Sequence, residues 1–345
     1  MQQKEFFSLN ALKCLRNEYL FNNCTLCFTQ CEENALGIFK EKIKLFEDAC
    51  TQCGECIGIC PTQALSLETF DANAFVFDFV KEDKNIIVHK IDVPTFSMLS
   101  AYHLMSIVLR TKKNIFLHYY EQDLKATSLE YIEQTIASSN AFLRQIGFEH
   151  SLFLKQQPSS VENVQRRTLF KTLVQTKKEL DKEFTLTQQL SQNNKTLPAQ
   201  QTIFKNSLKL VCEDIQTQIN TQNSVLFNKQ IDFSACTNCV DCVTFCPTQA
   251  LFQNSSKDAI YFQSGQCIGC DICEQACQHN AIKANNSLDI IDYMFNKAYE
   301  LVAFEYAKCQ ECNNAFIKKD ESRVCHFCKP FLNEHANMFT LAKDM

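Results

Sequence analysis

The chain has 345 residues, a formal net charge of −5 and 46% apolar residues. That length allows two or three domains with a sizeable core, while the acidic balance offers no cationic excess for the phosphates of nucleic acid. Glycine is scarce, at 6 residues, and no G-x-G-x-x-G or Walker loop occurs, which excludes the ordinary dinucleotide and nucleotide-triphosphate sites.

Cysteine is the outlier, at 21 residues. A disulfide framework would suit a small exported domain. The opening MQQKEFFSLNALKCLRNEYL lacks a charged start followed by an apolar run and a cleavage site, and Arg166-Arg167 come too late for a twin-arginine signal. No apolar run approaches the length of about eighteen residues that a membrane helix needs. The expectation is a cytoplasmic protein without a membrane span, whose clustered thiols stay reduced and hold metal.

In chain order, Cys14, Cys24, Cys27 and Cys31 read C-x9-C-x2-C-x3-C, and Cys50, Cys53, Cys56 and Cys60 read C-x2-C-x2-C-x3-C followed by Pro61. A stretch without cysteine follows, from 61 to 211. Within it NIIVHKI (85–91), NIFLHYY (114–120) and HSLFLKQ (150–156) predict strands, and TFSMLSAYHLMSIVLR (95–110) and SLEYIEQTIASSNAFLRQIGF (128–148) predict helices, the second capped by Gly147. The alternation implies βαβ units and a small parallel sheet. QQPSS (156–160) breaks the chain, 161–184 reads as a charged amphipathic helix, 187–201 as a polar linker, and 202–219 as a further helix carrying the lone Cys212.

Two regular motifs come next, Cys236, Cys239, Cys242 and Cys246, then Cys267, Cys270, Cys273 and Cys277. ALFQNSSKDAIYFQ (250–263) between them predicts a hairpin. Cys309, Cys312, Cys325 and Cys328 close the series as C-x2-C-x12-C-x2-C. The expected fold class is α+β, with two cysteine modules flanking a small α/β (βαβ) domain and a short metal-binding tail. The expected limits are 1–72, 73–186, 187–227, 228–290 and 291–345.

C-x2-C-x2-C-x3-C wraps three thiolates around the corners of an iron–sulfur cubane and sets a fourth just beyond. The two pairs of motifs resemble bacterial two-cluster 2[4Fe–4S] ferredoxins, present twice, as in a polyferredoxin. In that family the fourth cysteine crosses to the other cluster. The resemblance therefore implies one cluster on Cys236, Cys239, Cys242 and Cys277 and another on Cys246, Cys267, Cys270 and Cys273. In the first pair it implies Cys14, Cys24, Cys27 and Cys60 for one cluster and Cys31, Cys50, Cys53 and Cys56 for the other. This chain departs from the pattern at Gln278 and Glu32, where proline is usual, and at Phe21, where the first ligand is usual, so that Cys14 reaches in from a longer loop. The rival reading of that loop is a cluster with three protein ligands and an open position.

The tail pairs two C-x2-C knuckles into a tetrahedral four-sulfur site, similar to a zinc ribbon, and its ligand types suit zinc or, alternatively, one iron. His326 beside Cys325 reads as a surface residue, Cys212 as a buried free thiol, and His89, His103, His118 and His150 as structural histidines. Tyr119 and Tyr120 end a strand on the side where open α/β sheets bind ligands, and read as core or as a docking surface.

The expectation is an electron-transfer protein that passes single electrons between [4Fe–4S] clusters and a larger oxidoreductase, with no catalysis of its own. The alternative is an accessory or maturation protein for a metal-containing oxidoreductase such as formate dehydrogenase or hydrogenase. A redox regulator that binds nucleic acid is a third reading, and the charge balance speaks against it.

Overall fold

The computed structural model describes residues 7–19, 22–157, 196–213, 215, 217–222 and 224–335. Phe7–Leu9 runs antiparallel to Leu65–Leu67, Leu9 opposite Leu65, so the two ends of the first cysteine segment are tied together. Between them Leu36–Phe39 and Lys42–Leu45 form a hairpin. Its two turn residues, Lys40 and Glu41, are both left-handed, a type I′ turn that matches the strand twist. The second cysteine segment repeats this plan. Lys229–Ile231 pairs antiparallel with Ile282–Ala284 around the hairpin of Leu251–Gln253 and Ala259–Phe262. Tyr299–Ala303 adds a third strand there, with a register shift between Ile260 and Tyr261.

Three parallel strands, Ile86–Val88, Ile115–Tyr120 and Leu152–Gln157, form the middle sheet in sequence order. Their inward residues Ile87, Ile115, Leu117 and Leu152 are buried, as strands covered by crossover helices require. The helix Ala101–Thr111 starts on a capping box between Ser100 and His103. The helix Ala126–Gln145 ends where Gly147 turns left-handed, with the Phe148 N–H reaching the Leu143 carbonyl at 2.9 Å, a Schellman closure.

The helix expected at 202–219 is shorter and earlier, Ala199–Lys209. Gln218–Asn220 is instead a strand, because Ser287–Asp289 supplies it with an antiparallel partner. The charged helix expected at 161–184, and the linker as far as 195, lie outside the described residues. Phe204 anchors the Ala199–Lys209 helix, its fully buried ring 5.5 Å from both Tyr102 and Phe142 and 6.3 Å from Tyr293. Burying such a ring stabilises the fold by about 1.5–3 kcal/mol. Through Tyr293 and Met294 this core also takes in the helix Ile290–Met294 that leaves the second cysteine segment.

Both cysteine segments rest on this α/β layer. The Gly58 N–H donates to the Ser97 carbonyl at 2.9 Å, and a Cβ at Gly58 would lie 2.5 Å from that oxygen, so only glycine permits the approach. Adjacent glutamines on one helix reach in two directions. Gln200 bonds the Pro61 carbonyl and the Gln63 amide, while Gln201 bonds the Cys267 carbonyl at 3.4 Å and the Tyr102 hydroxyl at 3.1 Å. Among the described residues, no helix is long and apolar enough to cross a membrane.

Candidate iron–sulfur and metal centres

The three regular cysteine loops share one backbone shape. The second and fourth residues after the first cysteine are left-handed in each: Gln52 and Gly54, Asn238 and Val240, Gly269 and Asp271. Left-handed residues at this density coil the chain so that its N–H groups face inward, a concavity suited to an anionic group. Val240 is β-branched and occupies this region at a cost that the surrounding packing must offset.

A second device repeats at the last cysteine of every motif. Asn34, Gln63, Gln249 and Asn280 are left-handed, and each N–H bonds back to the carbonyl of the cysteine three residues earlier, at 3.1–3.4 Å. In three of the four motifs the following residue donates to sulfur: Ala35 to Cys31 Sγ at 3.3 Å, Ala64 to Cys60 Sγ at 3.3 Å and Ala281 to Cys277 Sγ at 3.2 Å. Cys31 and Cys277 thus sit in the same turn as Cys60, although Glu32 and Gln278 replace the proline. The proline is not what sets this geometry.

In the second segment the thiols line two cavities. Cys236, Cys239, Cys242 and Cys277 line one together with Ile231, Ile260 and Ile282. Cys246, Cys267, Cys270 and Cys273 line the other with Lys229, Leu251 and Phe262. Each cavity draws three thiols from one motif and one from the other. In the first segment Cys14, Cys24 and Cys27 each lie within electrostatic reach of Cys60. Cys27, Cys53 and Cys31, in that order, act likewise on Cys56, and Cys50 opens the loop that carries Cys53 and Cys56.

Burial, followed by neighbouring thiols, pushes Cys27 and Cys242 up to about 12. Burial also raises Cys267 and Cys270 to about 12, opposed by backbone N–H bonds from Gly269 and Ile272. A metal entering these cavities therefore displaces protons. In the second segment, four thiols around each cavity and apolar walls fit a [4Fe–4S] cluster.

Neighbouring groups of thiols approach one another at three places. Burial and then Cys27 raise the Cys56 thiol in the first segment. Cys242 acts on Cys273 across the second segment. Between the segments, Cys24 and Cys270 both border a buried contact of Leu15 with Ile268 and Ile272, and the Tyr19 ring packs 4.8 Å from Phe245. Three neighbours of these sets carry no motif in the sequence: Arg16, buried and donating to the Cys24 carbonyl at 2.7 Å; Glu55, buried and accepting from Ser128 at 2.6 Å; and Lys229. Arg16 and Glu55 stand inside cysteine loops, where a charged residue between ligands is the one available signal. Lys229 offers none.

The tail is a different kind of site. The sulfurs of Cys309, Cys312, Cys325 and Cys328 all lie within 4.8 Å of one another, the one His/Cys/Asp/Glu group among the described residues drawn together in this way. Cys312 and Cys325 are 3.8 Å apart. A tetrahedral ion with metal–sulfur bonds of about 2.3 Å spaces its sulfurs by about 3.8 Å, so the set fits a single ion. Backbone N–H groups of Cys312 and Cys325 draw the Cys309 thiol down to about 6. The knuckles are carried by the hairpin of Tyr306–Lys308 with Ala315–Ile317 and by the start of the helix Cys328–His335. His326 is exposed, its ring against Phe327.

The remaining candidates do not converge. Cys212 is half-buried against the α/β core, with Tyr119 also packed there. His103 serves the capping box, His118 bonds Gln157 at 3.0 Å, His150 packs edge-on to Phe148, and His89 is buried against Phe96.

Comparison with known proteins finds two matches to family models. A 4Fe-4S dicluster domain matches residues 228–280, and a 4Fe-4S binding domain matches residues 43–66. No curated protein and no solved structure matches the chain. With the thiol geometry, these matches identify an iron–sulfur protein with two 4Fe-4S ferredoxin-type domains and a separate four-cysteine metal site at its C-terminal end.

Proposed function

We propose that the chain is a cytoplasmic polyferredoxin that carries single electrons along four [4Fe–4S] clusters to or from a larger oxidoreductase. The four ligand sets are Cys31, Cys50, Cys53 and Cys56; Cys14, Cys24, Cys27 and Cys60; Cys246, Cys267, Cys270 and Cys273; and Cys236, Cys239, Cys242 and Cys277. The observation that supports this reading is contact between neighbouring groups of thiols: Cys27 acts on Cys56 in the first segment, Cys242 acts on Cys273 in the second, and Cys24 and Cys270 border one buried contact between the segments.

A bound [4Fe–4S] cluster supplies a one-electron couple at low potential. The protein's part is to hold the sets rigidly. Left-handed loops fix the thiols, Ala35, Ala64 and Ala281 stabilise sulfur charge through their N–H groups, and Ile260 and Phe262 exclude water. The α/β domain acts as the bench on which the two modules are mounted, with Gln200 and Gln201 touching one module each. The tail holds zinc as a folding staple.

Iron, sulfide and zinc analysis of anaerobically purified protein, with EPR during stepwise reduction, tests this. About sixteen irons and interacting reduced-cluster signals are expected. The irregular Cys14 loop favours one second reading, an accessory protein for the maturation of a metal-containing oxidoreductase such as formate dehydrogenase or hydrogenase. About twelve irons, or one cluster readily lost to a chelator, would select it.

A further inference from the structure

Lys229 and Ile260 occupy equivalent places in the two halves of the second module. Each stands seven residues before the first cysteine of a loop (229 to 236, 260 to 267), and each lines the cavity formed mainly by the other loop's thiols. Ile260 faces Cys236, Cys239, Cys242 and Cys277. Lys229 faces Cys246, Cys267, Cys270 and Cys273. The loops themselves share one backbone shape, so this exchange of an apolar side chain for a cation is a main chemical difference between the two cavities.

The Lys229 side chain is 3% exposed, and its ammonium donates to Asp271 at 2.7 Å and to Glu274 at 2.5 Å. Those two carboxylates lie toward solvent, 56% and 35% exposed. Water screens charges at such positions, whereas a charge in the interior acts through a low dielectric. The thiols of Cys267 and Cys273 both feel the ammonium.

We propose that Lys229 sets the reduction potential of the cluster held by Cys246, Cys267, Cys270 and Cys273 above that of its neighbour on Cys236, Cys239, Cys242 and Cys277. The inference rests on the cluster assignment above. Adding one electron to either cluster adds one negative charge, and a buried cation favours that charge only where Lys229 lies. The set beside Lys229 is also the one that borders the first module through Ile268 and Ile272. An electron entering the second module therefore comes to rest on the cluster that borders the first module and not on the other one.

The test is an EPR-monitored potentiometric titration of the full chain, with dithionite as the electron donor, on the wild type, K229M, K229R and D271N. One reduction step should fall in K229M by at least a tenfold change in the reduced-to-oxidised ratio, 59 mV for one electron. The same step should rise in D271N, which leaves the cation less compensated, and stay near the wild type in K229R. Full iron with every step unmoved in K229M and D271N, or a shift of the opposite sign, overturns the proposal. If K229M loses iron, D271N alone decides: a rise in one step supports the proposal, and an unmoved or falling step overturns it. Too little iron in the wild type instead overturns the cluster assignment.

Discussion

The side-chain amide of Asn22 donates to Oε1 of Gln275 at 3.2 Å, across 253 positions of sequence. Gln275 returns a bond to Asn23 Oδ1 at 2.9 Å. Asn22 stands two residues before Cys24, and Gln275 lies between Cys273 and Cys277. The two ferredoxin-type segments are therefore joined at their thiol loops, beside the buried contact of Leu15 with Ile268 and Ile272.

Loosening this junction should separate the modules without emptying them. Gln275→Ala removes hydrogen bonds worth about 0.5–1.5 kcal/mol each. Tyr19→Ala adds the loss of an aromatic pair worth about 0.5–1.5 kcal/mol. The double variant is expected to keep its iron, to show weaker spin coupling between reduced clusters and to release the N-terminal module faster to protease. Unchanged coupling would mean that the junction does not carry the relay.

Cys14 stands ten residues before Cys24, outside the regular spacing, and is the most informative ligand to remove. Cys14→Ser is expected to lower the iron content by about four in sixteen, while Cys212→Ser leaves it unchanged. An unaltered count in Cys14→Ser would leave Cys24, Cys27 and Cys60 as a three-thiol site.

The tail should behave as an independent metal fold. A structural zinc site contributes about 10–16 kcal/mol of apparent binding free energy. Cys312→Ser is expected to lose zinc and expose the hairpin of Tyr306–Lys308 and Ala315–Ile317 to protease, with the iron content unchanged. Metal analysis of the colourless or coloured tail separates zinc from iron.

His103 makes the α/β domain sensitive to acid. Burial lowers its folded-state value from 6.5 to about 3. The native imidazole stays neutral, with Nδ1 3.1 Å from the Ser100 N–H and Nε2 3.1 Å from Asn73 Oδ1. As pH falls below 6.5 the unfolded chain takes up a proton that the folded chain refuses. Stability is then full above pH 6.5 and declines by about 1.4 kcal/mol per unit toward pH 3. Denaturant titrations between pH 5 and 8 should show this slope, and His103→Gln should flatten it.

Much of this was legible in the residues. Apolar runs around Ile87, Leu117 and Leu154 carry strand character within a few positions, and thiol spacing announces each loop. The ending of the Ala199–Lys209 helix was not, because the strand Gln218–Asn220 exists only through a partner some seventy residues away. The junction between modules was not either. Tyr19, Phe245, Ile268 and Ile272 look like ordinary apolar residues, and only tertiary placement turns them into an interface. Lys229 is hidden for a similar reason: a lysine reads as surface until its strand turns it inward.

The strand pair that closes the first module has a consequence for synthesis on the ribosome. Phe7–Leu9 finds its partner once Leu65–Leu67 has emerged, and all eight thiols of that module lie between them. The α/β layer beneath it is finished only when Tyr293 and Met294 arrive to pack on Phe204 and its neighbours. The first module thus completes its own strands long before its bench is whole, and domains of a nascent chain fold as units in that order. It is the segment most exposed to oxygen and to loss of iron while the rest of the chain is still being made.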